Sequence, residues 1–185
     1  MAPQTIVLKG RPQRREAAAG GAITPGHLIK YDTSGDFVVH NVAAGKTPAI
    51  FAGENEVVGL DLTDAYASGD RVLAWHCGPG DEIYALVPAN APAIVIGDIL
   101  ESNGDGTVRK VLGLTGTLTG TNDGALTDVT FNATWSDAQS TEIDNNFKEI
   151  QEDLNIAPPS GFLMAMEAVD NSAGGSPARI KVLVM

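Results

Sequence analysis

The chain has 185 residues, 43% hydrophobic and 19% charged, with 21 glycines, 10 prolines and a formal net charge of −11. That length buries a core of its own, hiding roughly 70% of the surface an unfolded chain exposes, and the apolar content excludes wholesale disorder. The acidic excess excludes a protein that coats nucleic acid or an anionic membrane through a cationic footprint, and the single cysteine, Cys77, excludes an internal disulfide.

The N-terminal apolar run is too short for a signal peptide, and no stretch approaches the roughly 20 apolar residues of a membrane-spanning helix. An acidic protein made in the cytoplasm is expected. Its charge is uneven. Residues 1–15 carry Lys9, Arg11, Arg14 and Arg15 and no acid, for +4; the remainder carries 8 basic and all 23 acidic residues, for −15. Residues 1–19 therefore read as a basic arm, which either frays into solvent or lies on an acidic neighbour.

Between residues 20 and 112, short apolar runs alternate with turn clusters. His27–Tyr31, Asp36–Val42, Val57–Leu62, Arg71–Trp75, Glu82–Val87 and Ile94–Leu100 are the expected strands. Their breakers are Thr33-Ser34-Gly35, Ala67-Ser68-Gly69, Gly78-Pro79-Gly80 and Asn103-Gly104-Asp105-Gly106. A faint repeat matches Gly26–Phe37 with Gly97–Val108, each reading as a strand opening after a glycine, a hairpin turn and a return strand. Its opening half recurs at Gly69-Asp70-Arg71-Val72-Leu73.

Residues 113–135 are Thr/Gly-rich, a flexible connection or an extended segment held by a partner. Ser136-Asp137-Ala138-Gln139 is a capping box that opens one amphipathic helix. Ile143, Phe147, Ile150 and Leu154 follow on its apolar seam, and Pro158-Pro159 ends it. That seam either packs on its own β core or joins a three-helix bundle about a symmetry axis. Strand character returns in Phe162–Val169 and Ala178–Val184. The expected fold is mainly β: a small barrel or sandwich built from 20–112 and 160–185, with an insertion, 113–159, holding the extended segment and the helix.

Chemistry-bearing motifs are sparse. His27, His40 and His76 show no metal-ligand spacing, and adjacent His76 and Cys77 point to opposite faces of a strand. Glu101–Gly106 is similar to a calcium loop, but its twelfth position is Leu112 rather than an acid. No nucleophile elbow, phosphate loop or dinucleotide fingerprint occurs, and Asn132-Ala133-Thr134 fits a glycosylation sequon by chance. An enzyme is the weaker expectation, and no catalytic, cofactor or metal residues are assigned.

Pro25-Gly26-His27-Leu28-Ile29, Asp64–Val72, Gly97–Gly106 and the ending Glu167–Ile180 together resemble tailed-phage capsid decoration (cement) proteins. The segment around Asn145–Glu149 instead resembles helical pieces of phage fibres and spikes. The first resemblance covers about two thirds of the chain and implies a small β-rich protein, sitting as a homotrimer on the outer surface of a virion shell. The implied partners are the major capsid protein and further copies of the chain, with no nucleic acid, membrane or cofactor, and the implied function is to staple neighbouring capsomers. The arm would bind the shell through Lys9, Arg11, Arg14 and Arg15, and Thr5, Ile6, Val7 and Leu8 would add a strand to a capsid sheet. Self-association would use Ile143, Phe147, Ile150 and Leu154. The alternative is a carbohydrate- or receptor-binding module displayed through the insertion, against which the two tryptophans, Trp75 and Trp135, offer little sugar-stacking surface.

Overall fold

A computed structural model describes residues 5–55, 59, 61–111 and 161–185. These form thirteen strands: β1 Val7–Lys9, β2 Gln13–Ala18, β3 Ile29–Tyr31, β4 Phe37–Val39, β5 Ile50–Ala52, β6 Arg71–His76, β7 Glu82–Val87, β8 Ala91–Ile94, β9 Ile99–Ser102, β10 Val108–Lys110, β11 Leu163–Ala165, β12 Val169–Asn171 and β13 Ala178–Val184. The fold is mainly β, as expected. A six-stranded sheet runs β1-β7-β13-β11-β9-β10, a three-stranded sheet runs β2-β6-β5, and β12-β8 and β3-β4 are two-stranded. None of these sheets closes, so of the expected barrel or sandwich the described residues form several open sheets and no closed barrel. The expected helix, with Ile143, Phe147, Ile150 and Leu154, lies outside the described residues.

The long central strands follow from alternation. Ile83, Ala85 and Val87 of β7 and Ile180, Val182 and Val184 of β13 point to one side and are buried, while Tyr84, Lys181 and Leu183 point to the other. The register matches Ile180 with Ala85 and Val182 with Ile83, so the apolar faces coincide. Leu100, Val108, Leu163 and Ala165 extend this face, and Ile6, Leu28, Phe51 and Ile94 cover it. A second core gathers Ala19, Ile23, Ile29, Phe37, Tyr66, Val72 and Ala74. Strand β5 serves both: Phe51 enters the first core, and Ile50 and Ala52 enter the second. Each fully buried side chain of the size of Phe51 contributes about 1.5–3 kcal/mol.

A four-residue turn opens several strands. In Ala67-Ser68-Gly69-Asp70, Gly78-Pro79-Gly80-Asp81 and Val95-Ile96-Gly97-Asp98, the third residue is a glycine at positive φ (88°, 94° and 89°). The aspartate then folds back, its carboxylate accepting the first residue's amide at 2.7, 2.8 and 2.9 Å. Thr24-Pro25-Gly26-His27 copies the turn with an imidazole: Thr24 N–H donates to His27 Nδ1 at 3.1 Å, and Gly26 has φ +92°. Only glycine reaches that φ without a Cβ clash, so the glycine and the acceptor after it form one unit.

This unit explains the repeat. Gly26–Phe37 builds the β3–β4 hairpin and Gly97–Val108 the β9–β10 hairpin, whereas Gly69–Leu73 opens β6, which pairs instead with β2 and β5. It also breaks the expected strand Ile94–Leu100, because Val95–Asp98 turns and separates β8 from β9. Of the expected strand Val57–Leu62, the described residues Gly59, Asp61 and Leu62 lie in no strand.

Candidate protein-binding surface

The basic N-terminal segment is not a free arm over its described length. Its residues form two strands of the chain's own body, β1 antiparallel to β7 and β2 antiparallel to β6. Two buried carboxylates fasten it. Glu54, 5% exposed, accepts the Ile6 amide at 3.0 Å and the Thr5 hydroxyl. Asp81 accepts the Arg11 amide at 3.0 Å while holding its own turn through Gly78. Gly10, at φ +115°, stands against Asp81, where a Cβ would collide with the carboxylate. A glycine followed by Arg11-Pro12 therefore links the two strands.

Ile6 is fully buried in the first core and Val7 packs against it. Thr5, Ile6, Val7 and Leu8 are thus committed to the chain's own fold, and the expected strand addition through them would require β1 to leave its place. The apolar character that suggested a transferable strand is what docks this one at home.

The four cations are all exposed. Lys9 Nζ pairs with Glu82 at 3.3 Å, and Arg14 pairs with Glu16 at 2.8 Å, a carboxylate shared with Arg71 at 3.1 Å. Arg11 and Arg15 have no carboxylate partner among the described residues. Arg15 lies two residues along β2 from Gln13, which is opposite His76. His76 Nε2 is 3.4 Å from the Tyr31 hydroxyl, and Tyr31 remains 43% exposed. Burial, followed by the charge of Arg15, holds the His76 pKa below its ordinary value. The surface is cationic with an aromatic flank on a chain that is otherwise acidic.

Sequence reasoning missed one close polar pair. His40 Nδ1 is 2.7 Å from Ser102 Oγ, with both residues buried at 3% and 0% exposure. Ser102 Oγ also accepts the Gly104 amide at 3.2 Å, so the pair joins the β9–β10 hairpin to the chain after β4. Burial, with the charge of Lys30 second, holds His40 below the ordinary histidine range. The residues are 62 apart in sequence, and only the hairpin repeat hinted at their approach.

Elsewhere, burial and the charge of Asp81 push the Cys77 thiol up to about 12, which makes it a poor nucleophile at neutral pH. Among the described residues, no three of His, Cys, Asp and Glu are placed to hold a metal ion. The chain matches no known protein family and no curated protein.

Proposed function

We propose that the chain is a structural virion protein that binds the outside of a phage capsid as a trimer and stabilises the shell by bridging capsomers. The observation that carries this reading is the exposed cationic segment Lys9–Arg15 on a chain that is −15 elsewhere, with Arg11 and Arg15 lacking carboxylate partners among the described residues. A local cationic surface on an acidic chain suits an acidic protein better than the uniformly charged backbone of nucleic acid, which the rest of the chain repels.

The resemblance to decoration proteins supports the same reading at the level of fold. Pro25–Ile29 leads into β3, Asp64–Val72 into β6, Gly97–Gly106 through β9, and Glu167–Ile180 from β12 into β13. These runs are largely turn units and strand openings, so the resemblance rests on the residues that shape turns and start strands. For trimer contacts, Val95 and Ile96 offer apolar surface, at 55% and 69% exposure in the turn before β9.

Each exposed ion pair is worth about 0–1 kcal/mol, so three cationic surfaces per trimer must act together. Replacing Lys9, Arg11, Arg14 and Arg15 together by glutamine is expected to abolish attachment to shells at moderate salt. Unchanged attachment, or shells equally heat-resistant with and without the protein, would overturn the reading.

A further inference from the structure

Strand β2 has a feature that no other long strand shares. β6, β7 and β13, the other described strands of six or seven residues, each lie between two neighbours, whereas β2 ends its sheet and pairs only with β6. The remaining edges are protected by brevity. β1, β5 and β10 have three residues each, and β1 also carries a register shift. β2 has six residues, no internal proline, and an unbroken register from Gln13 opposite His76 to Ala18 opposite Arg71.

The direction of its free groups follows from Ala19. The Ala19 amide donates to Asp70 O at 2.8 Å and its carbonyl accepts from Gly69 N at 2.7 Å, so both face the β6 side. The Gly20 amide faces away and donates to Phe37 O at 2.8 Å. Alternation along the strand then turns the N–H and C=O of Arg14 and Glu16 outward, beyond the short bridge between Ala19 and Phe37.

The side chains at this edge select the visitor. One face carries Arg15, with Gln13 and His76; the other carries Arg14 and Arg71 around Glu16. A second β2 paired antiparallel through Arg14 and Glu16 would set Arg15 against Arg15, a destabilising like-charge pair, and would offer Arg14 only the Glu16 carboxylate that Arg14 and Arg71 already share. A strand with acidic side chains on both faces would meet Arg15 on one side and Arg14 and Arg71 on the other.

We propose that β2 is an acceptor edge for an extended, acidic segment of another protein, which adds as a fourth strand through the backbone of Arg14 and Glu16. This deepens the shell-binding reading and rests on it only for the source of the segment; the edge and its charge stand apart from any shell.

The test uses the full chain and a synthetic peptide repeating Val-Glu-Glu, which as a strand carries glutamates on both faces, followed by fluorescence anisotropy and amide exchange. Binding that weakens with salt and protects the Arg14 and Glu16 amides is expected. Glu16→Gln, which removes a like charge and keeps the amide, is expected to bind more tightly. Glu16→Pro, which removes the outward amide without breaking the β6 ladder, is expected to bind about tenfold more weakly, as for one lost hydrogen bond. Arg15→Glu leaves the backbone untouched and should shift preference to a valine–lysine peptide, which keeps the proposal testable if the proline variant does not fold.

Absence of binding, equal binding of the lysine peptide by the wild-type chain, or equal binding by folded Glu16→Pro and Glu16→Gln would overturn the proposal. Self-association blocked by Glu16→Pro would also overturn it, by making a second copy the occupant. Shells that capture Glu16→Pro as well as wild type would refute the edge alone; a peptide-binding protein that no shell captures would refute the shell reading alone.

Discussion

Glu54 is the residue on which the N-terminal segment depends. It is a buried acid whose hydrogen bonds to Thr5 and Ile6 join residues about fifty positions apart. Removing it strands the Ile6 amide beside a core that Ile6 itself helps to fill. Glu54→Ala is expected to cost about 1–3 kcal/mol in urea unfolding and to expose residues 5–11 to proteolysis before the rest of the body unfolds. A variant with unchanged stability and unchanged cleavage would show that β1 is held by its pairing with β7 alone. None of this was legible in the sequence, where Glu54 stands between Gly53 and Asn55 without any pattern. Burial of an acid is decided by which chain segment arrives to satisfy it.

Among the elements, those built on alternation and the hairpins of the glycine repeat were legible, whereas one edge strand and one turn hidden inside an apolar run were not. β7 and β13 fall where the pattern of apolar residues sets them, because each puts every second residue into the core. β2 was hidden because Gln-Arg-Arg-Glu-Ala-Ala has neither alternation nor a β-branched residue; its place comes from pairing with β6. The division between β8 and β9 was hidden because Val95 and Ile96 continue the apolar run into a turn, where both are exposed. The usable signal was the Gly-Asp pair after them. Since the glycine of this unit sits at positive φ, Gly97→Ala, where a Cβ meets open space, should cost about 1–2 kcal/mol. Gly26→Ala should cost more, because its Cβ would also lie 2.7 Å from Arg179 Nη1 and 3.0 Å from Tyr84 O. Equal thermal midpoints for the two variants would refute this ordering.

Over the whole molecule, many acids are structural parts rather than solvated surface, which gives the net charge a consequence for stability. The Lys110 ion pair, then the Val95 amide, hold Asp98 below the ordinary carboxylate range. The Thr63 hydroxyl and amide do so for Asp61, and those of Ser172 for Asp170. At Asp105 burial pushes upward, but the Thr107 and Asn103 hydrogen bonds outweigh it and the net shift is down. His27, His40 and His76 are lowered chiefly by burial. In both classes the unfolded chain binds protons at a higher pH than the folded one, so stability rises with pH and is lost on acidification. The histidine contribution is full above about pH 6.5 and is lost below it; the carboxylate contribution is full above about pH 4 and is lost as pH falls through the folded values. The thermal midpoint should therefore decline in two steps on acidification, and His40→Asn should shrink the first. A midpoint that stays flat down to pH 4 would exclude the histidine step.

The described residues on either side of 112–160, Val111 and Gly161, meet on the body. Val111 follows β10 directly, and a Cβ placed on Gly161, just before β11, would lie 3.1 Å from Val111 Cγ2. Strands β9, β10 and β11 therefore hold a doorway whose two posts stand side by side, whatever length of chain passes through it. Loop closure depends only weakly on length, each doubling costing about 0.6 kcal/mol. Replacing residues 112–160 by a short Gly-Ser linker should then leave the sheets folded and their melting nearly unchanged, whereas collapse of the body on that exchange would show that the passenger is also a support. In engineering terms the body is a socket, able to carry foreign cargo at one fixed point on its rim.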